Sequence, residues 1–245
     1  MKHAYDSGFM EYTSLVTRCA ADSISQLLLS SIPVASVLDV GCAQGVWLSA
    51  WASAGVAEIF GIDGNYVAKE SLKIPARCFE SADLSRQWNL SRRFDLVQSL
   101  EVAEHLPENA ADQFIENLAT HSKGVILFSA APPGQGGEFH VNERPYEYWR
   151  EKFQAFGFEP YDYIRPLIHA DTTIPFWYRH NTILYVHRDR MATLPESIRL
   201  TRVPVGSRIR EFAPGWFRLR RQLVRSLPFS VQQLLARAKA RWLPR

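Results

Sequence analysis

Between residues 34 and 130, short apolar runs alternate with amphipathic stretches, a rhythm that few folds accept. Strands are read over 34–40, 58–63, 77–80, 94–100 and 124–130, and helices over 46–54, 66–72 and 108–120. A helix over 11–32, stopped by Pro33, precedes them; a helix over 146–156 and strands over 161–164 and 182–187 follow. Strands that are apolar on both faces need cover on both faces. The pattern therefore predicts an α/β fold, a doubly wound, Rossmann-like, mostly parallel sheet. Ligands of such sheets sit beyond the carboxyl ends of the strands, where the chemistry is to be sought.

With 245 residues, 47% of them hydrophobic and 22% charged, the chain can bury one full core, which excludes a disordered or collagen-like chain. The longest uncharged stretch, 40–57, contains three glycines, a glutamine and two serines, and falls short of a spanning helix. Met1 to Asp6 lacks the apolar core of an export signal. Cys19, Cys42 and Cys78 show no metal or bridge spacing, which suits reduced thiols and a cytoplasmic setting. The net charge of +3 hides an asymmetry. Residues 189–245 carry +10 and residues 1–188 carry −7, dividing the chain into an acidic domain over 1–188 and a basic, helical C-terminal tail over 189–245.

The first strand ends in Asp39-Val40-Gly41-Cys42-Ala43-Gln44-Gly45 and opens directly into a helix. Glycine in such a turn admits a ligand close to the backbone, and the helix start offers free N–H groups. Asp63 ends the second strand, 24 residues beyond Asp39, where an acid can accept hydrogen bonds from ribose hydroxyls. The dinucleotide fingerprint G-x-G-x-x-G is incomplete from Gly41, which argues against a nicotinamide or flavin enzyme.

The turn resembles motif I of the class I S-adenosylmethionine (SAM) methyltransferases, roughly D-x-G-x-G-x-G, with Ala43 departing at the middle glycine. The resemblance implies SAM as cofactor, Asp39, Gly41, Gly45 and Asp63 as its binding residues, Asp83 near its adenine and Leu100 against it. A narrower resemblance, reaching about residue 187, is to bacterial methyltransferases often encoded among surface-polysaccharide genes. It is carried by the stretches 61–67 (Gly-Ile-Asp-Gly-Asn-Tyr-Val), 99–107 (Ser-Leu-Glu-Val-Ala-Glu-His-Leu-Pro) and 128–137 (Phe-Ser-Ala-Ala-Pro-Pro-Gly-Gln-Gly-Gly), and by His140-Val141-Asn142-Glu143, Tyr148-Trp149 and Trp177-Tyr178-Arg179.

Transfer of a methyl group to a hydroxyl needs the acceptor held in line and its proton removed. Glu101, Glu104 and His105 follow the fourth strand, and a helix starting there would put all three on one face. The same glutamate–glutamate–histidine arrangement in the ubiquinone O-methyltransferases implies a divalent metal, magnesium for example, although a histidine sits uneasily beside magnesium. The other reading is a solvated or capping face. His140, in the proline- and glycine-rich loop after the fifth strand, is the better general base, oriented by Glu138 or Glu143, with His105 a further catalytic candidate; alternatively His140 only holds the loop together. Trp149 is expected in the core, while Trp177 and Tyr178 are equally suited to packing and to a pocket for a ring.

In the tail, Trp216, Leu219, Leu223 and Leu227 recur at helical spacing, then, beyond Pro228, Val231, Leu234, Leu235, Ala238 and Trp242. Interleaved arginines suit either the surface of a membrane, the inner face in this setting, or packing on the acidic body. No nucleic-acid module accompanies them, so nucleic acid is not an expected partner. The expected function is O-methylation of a sugar hydroxyl in a surface polysaccharide or lipid-linked glycan. The rivals are a small-molecule or quinone O-methyltransferase and a non-catalytic SAM-binding scaffold.

Overall fold

The computed structural model describes residues 7–228 with Val231 and Leu234, and for 7–16 only the backbone course. Met1 to Asp6, and the tail positions Leu235, Ala238 and Trp242, lie outside the described residues. A seven-stranded sheet runs in the order β3-β2-β1-β4-β5-β7-β6. Its strands are β1 (Ser36–Val40), β2 (Glu58–Asp63), β3 (Phe79–Ser81), β4 (Leu96–Leu100), β5 (Val125–Ser129), β6 (Phe158–Tyr161) and β7 (Ile183–His187). The first five pair in parallel, and β7 is antiparallel to both β5 and β6. The doubly wound sheet expected from the sequence is the one observed.

Central strands β1, β4 and β5 are buried at every position. That is what a parallel sheet covered on both faces requires. Register aligns Asp39 with Gly61 and Gln98, and Leu100 with Ser129, so the carboxyl ends of β1, β2, β4 and β5 share one edge. One core lies under α1 (Ser7–Leu29), α2 (Val46–Ser53) and α6 (Phe176–Asn181), and includes Leu28, Trp51, Tyr161 and Leu184. A second lies under α3 (Ala111–His121) and α4 (Tyr146–Ala155), where Trp149 and Phe153 pack on Phe128. Gln98, buried in β4, accepts the Trp51 indole N–H at 2.8 Å, so a polar side chain in the sheet is partly satisfied.

Three expected elements differ. The helix over 66–72 is only a 3-10 turn, Lys69–Ser71. The late strand lies at 158–161 and not at 161–164, because its ladder with β7 ends at Tyr161, Asp162 N–H bonding to Thr201 O instead, and α5 (Arg165–Ile168) follows. No helix begins at Glu101, whose φ of 56° is left-handed; a single 3-10 turn, Ala103–His105, follows it. A helix cannot pass through a residue at that φ.

Beyond Arg188 the chain continues to pack on the body. It forms α7 (Glu196–Arg199), places Ile198, Val203 and Ile209 in the two cores, and receives three hydrogen bonds from the Arg150 guanidinium at Val203, Pro204 and Ser207. The last described helix is α8 (Gly215–Arg225). Among the described residues no helix is long and apolar enough to cross a membrane. All three cysteines are free.

Candidate active site

The turn after β1 is shaped by alternating left-handed residues: Gly41 at φ 85°, Ala43 at φ 47° and Gly45 at φ 80°. Ala43 thus holds a left-handed backbone, the region that glycine enters without strain. Three bonds pin the turn to β2: Gly41 N–H and Cys42 N–H donate to Ile62 O at 2.7 and 3.2 Å, and Ala43 N–H donates to Asp63 Oδ2 at 2.7 Å. A β-carbon on Gly41 would stand 2.4 Å from Val102 Cγ2, so the turn and the segment after β4 touch.

A cavity of about 230 Å³ opens over this turn. Asp39, Gly41, Cys42, Ala43, Gln44 and Trp47 form one wall; Leu100, Glu101, Val102, Tyr178 and Thr17 form the other. Asp39 is buried with Oδ2 lacking a hydrogen-bond partner, and burial, partly opposed by a bond with Gln98 and aided by the Asp63 charge, pushes its pKa up to about 7. Asp63 lies behind the turn. Its carboxyl accepts from the N–H groups of Ala43 and Gly64 and from the Tyr66 hydroxyl, bonds that oppose the upward pull of burial on its pKa. Asp83 is exposed, bonded to Ser85 and paired with Arg86, and does not line the cavity.

A second cavity, of about 340 Å³, lies under the loop after β5. Gly134, Gly136, Gly137, His140, Val141, Glu143, Arg144 and, from α8, Arg225 line it. Glu143 organises this loop: it accepts from the N–H groups of Gly134 at 2.7 Å and Gly136 at 2.8 Å and meets His140 Nδ1 at 2.8 Å. Of the two acids considered as its partner, Glu143 is the one bonded to His140. With Nδ1 engaged by a carboxylate, Nε2 is the ring nitrogen left to exchange a proton.

The three residues after β4 separate. Glu101 points between the cavities, accepting from Gln135 at 2.8 Å and from Asn181 at 3.1 Å; burial raises its pKa and these bonds oppose the rise. Glu104 and His105 turn instead toward His140, the donor atoms of the three lying within 4.8 Å of one another. The Val141 and Asn142 N–H groups donate to Glu104 O and bring the loop there. Neither carboxylate oxygen of the fully buried Glu104 has a hydrogen-bond partner, and burial, reinforced by the Glu101 charge, raises its pKa well above the ordinary range. The structure therefore groups Glu104 and His105 with His140, while Glu101 faces Gln135 and Asn181. Phe139, at φ 60°, adds a third left-handed non-glycine to the site, after Ala43 and Glu101.

One glycine-built turn follows β1 and another follows β5, and Asp39 and Asp63 stand at or next to the ends of the first two strands. The sequence matches the family described as Methyltransferase domain over residues 12–172. The chain belongs to that family. The methyltransferase shares its fold with magnesium protoporphyrin IX methyltransferase ChlM of Synechocystis, solved with bound SAH (S-adenosylhomocysteine): TM-score 0.53 at 20% identity, over 71% of this chain and 86% of that one. Streptomyces venezuelae DesVI gives a TM-score of 0.55 at 14% identity, over 76% of this chain and all (100%) of that one. The sugar N-methyltransferase KedS8 of Streptoalloteichus gives 0.55 at 15%, over 77% and 95%. No curated protein matches the sequence.

The two cavities and the segment after β4 also involve residues given no role by the sequence alone. Thr17 and Trp47 line the first cavity, the latter with its indole N–H 3.5 Å from the Tyr178 hydroxyl. Gln135 and Asn181 bridge to Glu101. Helix periodicity marks Trp47 as merely apolar, and nothing local links 101, 135 and 181. Trp149 is a core residue, as expected, whereas Tyr178 belongs to the first cavity and Trp177 packs against Phe176.

Proposed function

We propose that this methyltransferase binds SAM in the first cavity and methylates a hydroxyl of a sugar, in a surface polysaccharide or lipid-linked glycan, bound in the second. The observation that carries the reading is the His140–Glu143 pair lining the second cavity, whose loop is tied to the first cavity by the hydrogen bond from Gln135 to Glu101. Asp39 fits SAM because its unpartnered oxygen suits a ligand with cationic groups, and Gly41 lets that ligand reach the backbone. When bound, SAM supplies an electrophilic methyl group whose bond to sulfur breaks as the acceptor oxygen attacks, leaving SAH. His140 Nε2 takes the hydroxyl proton, and Glu143 steadies the charge that then forms on the ring. The glycan acceptor draws on the likeness to polysaccharide-linked methyltransferases and on the sugar N-methyltransferase KedS8 among its structural relatives.

A second reading is favoured by Glu104. A buried carboxylate without partners, grouped with His105 and His140, has the donor set for a divalent cation. Such a cation would supply charge to lower the acceptor's pKa, and one oxygen and two nitrogen donors suit a transition metal or zinc better than magnesium. The two readings compete for His140. Transfer of label from methyl-tritiated SAM to glycan and quinol acceptors, with and without EDTA, separates them. Labelled sugar unaffected by EDTA is expected from the base reading, and label lost with EDTA and restored by added metal from the other. Label in quinols alone moves the acceptor class, and SAM binding with no label on any acceptor makes the chain a binding scaffold.

Asp39 makes cofactor binding pH-dependent. Its carboxyl is neutral below about pH 7 in the free protein, and cationic SAM favours the ionised form. Affinity is expected to rise from pH 6 towards 7, by at most about tenfold per pH unit, and to level above. Titration calorimetry of the wild type against Asp39→Asn isolates the effect, because the ligand's own amine titrates identically in both.

A further inference from the structure

We propose that α8 is an interfacial helix that lays its exposed apolar stripe on an anionic membrane surface. Its contacts divide it into three faces. Phe217 packs edge-on against Phe176 at 4.9 Å, Arg221 pairs with Glu211, and Arg220 donates to Gln135 O, so one face is fastened to the body and to the loop over the second cavity. Roughly a third of a turn away, Trp216, Leu219 and Leu223 form a stripe 58–69% exposed; Leu227, Val231 and Leu234, past the end of α8, are exposed as well. The opposite flank carries exposed Arg218 and Arg225.

A stripe of large apolar side chains, headed by a tryptophan, on a helix already anchored by its other face costs solvation free energy unless something covers it. Charge selects the occupant. The segment 189–245 carries +10, and a second copy meeting this stripe would bring arginine against arginine. An anionic lipid surface accepts the leucines and tryptophan among its acyl chains, and its negative potential attracts the +10 segment as a whole. Arg225 lines the second cavity from the far side of α8, so that cavity would stand about one helix diameter, ~10 Å, off the surface. If that cavity is the acceptor site, as proposed above, this height suits a sugar carried on a lipid and not the lipid chain.

The test is co-sedimentation of the full chain with phosphatidylcholine vesicles, with and without phosphatidylglycerol. Capture by the anionic vesicles alone is expected, with the Leu219→Glu/Leu223→Glu variant binding at least about tenfold more weakly. SAH affinity and thermal unfolding of that variant, whose leucines are exposed, should match the wild type. No capture by anionic vesicles at low salt overturns the proposal, as does undiminished capture of the variant, or a dimer in solution that the same substitutions dissolve while vesicles bind neither protein. The assay needs no acceptor, so a chain that binds vesicles and methylates no glycan leaves the membrane contact standing and removes only the acceptor reading.

Discussion

Gly41→Ala is expected to weaken SAH and SAM binding at least about a hundredfold while leaving a folded but less stable protein. Two independent effects act at this position. At φ 85° an alanine pays roughly 1–2 kcal/mol for the left-handed backbone. Its β-carbon would also lie 2.4 and 2.7 Å from the two methyl groups of Val102. Valine is stiff about χ1, and Val102 follows Glu101, a left-handed residue tethered by its N–H to Ser129 and by its carboxylate to Gln135 and Asn181. The turn must therefore move, and the wall of the cofactor cavity moves with it. Calorimetric titration with SAH reads the first effect, and a melting temperature lower by about 2–4 °C per kcal/mol reads the second. Ala43→Gly should act in the opposite sense, because Ala43 already sits at φ 47° and glycine relieves it. Wild-type affinity in Gly41→Ala would show that the turn does not contact the ligand.

His140→Ala is expected to lower kcat by about 10²–10⁴, the usual range for loss of a general base, with SAH affinity unchanged within about a factor of two. Affinity is spared because His140 lines the second cavity and not the first. Glu143→Gln should cost less, about tenfold, since an amide oxygen still accepts one of the loop N–H bonds that Glu143 receives from Gly134 and Gly136. Single-turnover methyl transfer, measured beside SAH titration, separates chemistry from binding. Near-normal turnover in His140→Ala would leave the histidine as a brace for the loop. A loss in SAH affinity equal to the loss in kcat would mean that the loop supports the cofactor.

Much of the architecture was legible in the sequence. The buried strands announce themselves as unbroken apolar runs, Pro33 bounds the first helix, and the alternation of strand and helix leads to the parallel sheet that is observed. The motif I turn was legible in the same way, including the acid at each strand end. Where local reading failed, the cause is specific. The stretch 66–72 has helical spacing yet forms one 3-10 turn. Glu101, Glu104 and His105 have spacing that a helix would align, but a left-handed residue at 101 sends the first to Gln135 and Asn181 and the others to His140.

What the sequence by itself determined is thus the set of properties that a few neighbouring residues decide: which runs are apolar enough to be buried, where glycine permits a left-handed turn, and where an acid closes a strand. Only the tertiary structure decided which distant residues meet. Glu104 joins His140 because the Val141 and Asn142 N–H groups bond back to Glu104 O; Tyr178 meets Trp47 because α6 and α2 cover the same core; and α8 fastens onto the loop at Gln135 while its leucines stay exposed. Such pairings come from how elements pack after they form, and packing depends on surfaces assembled from the whole chain, which no local period or motif encodes.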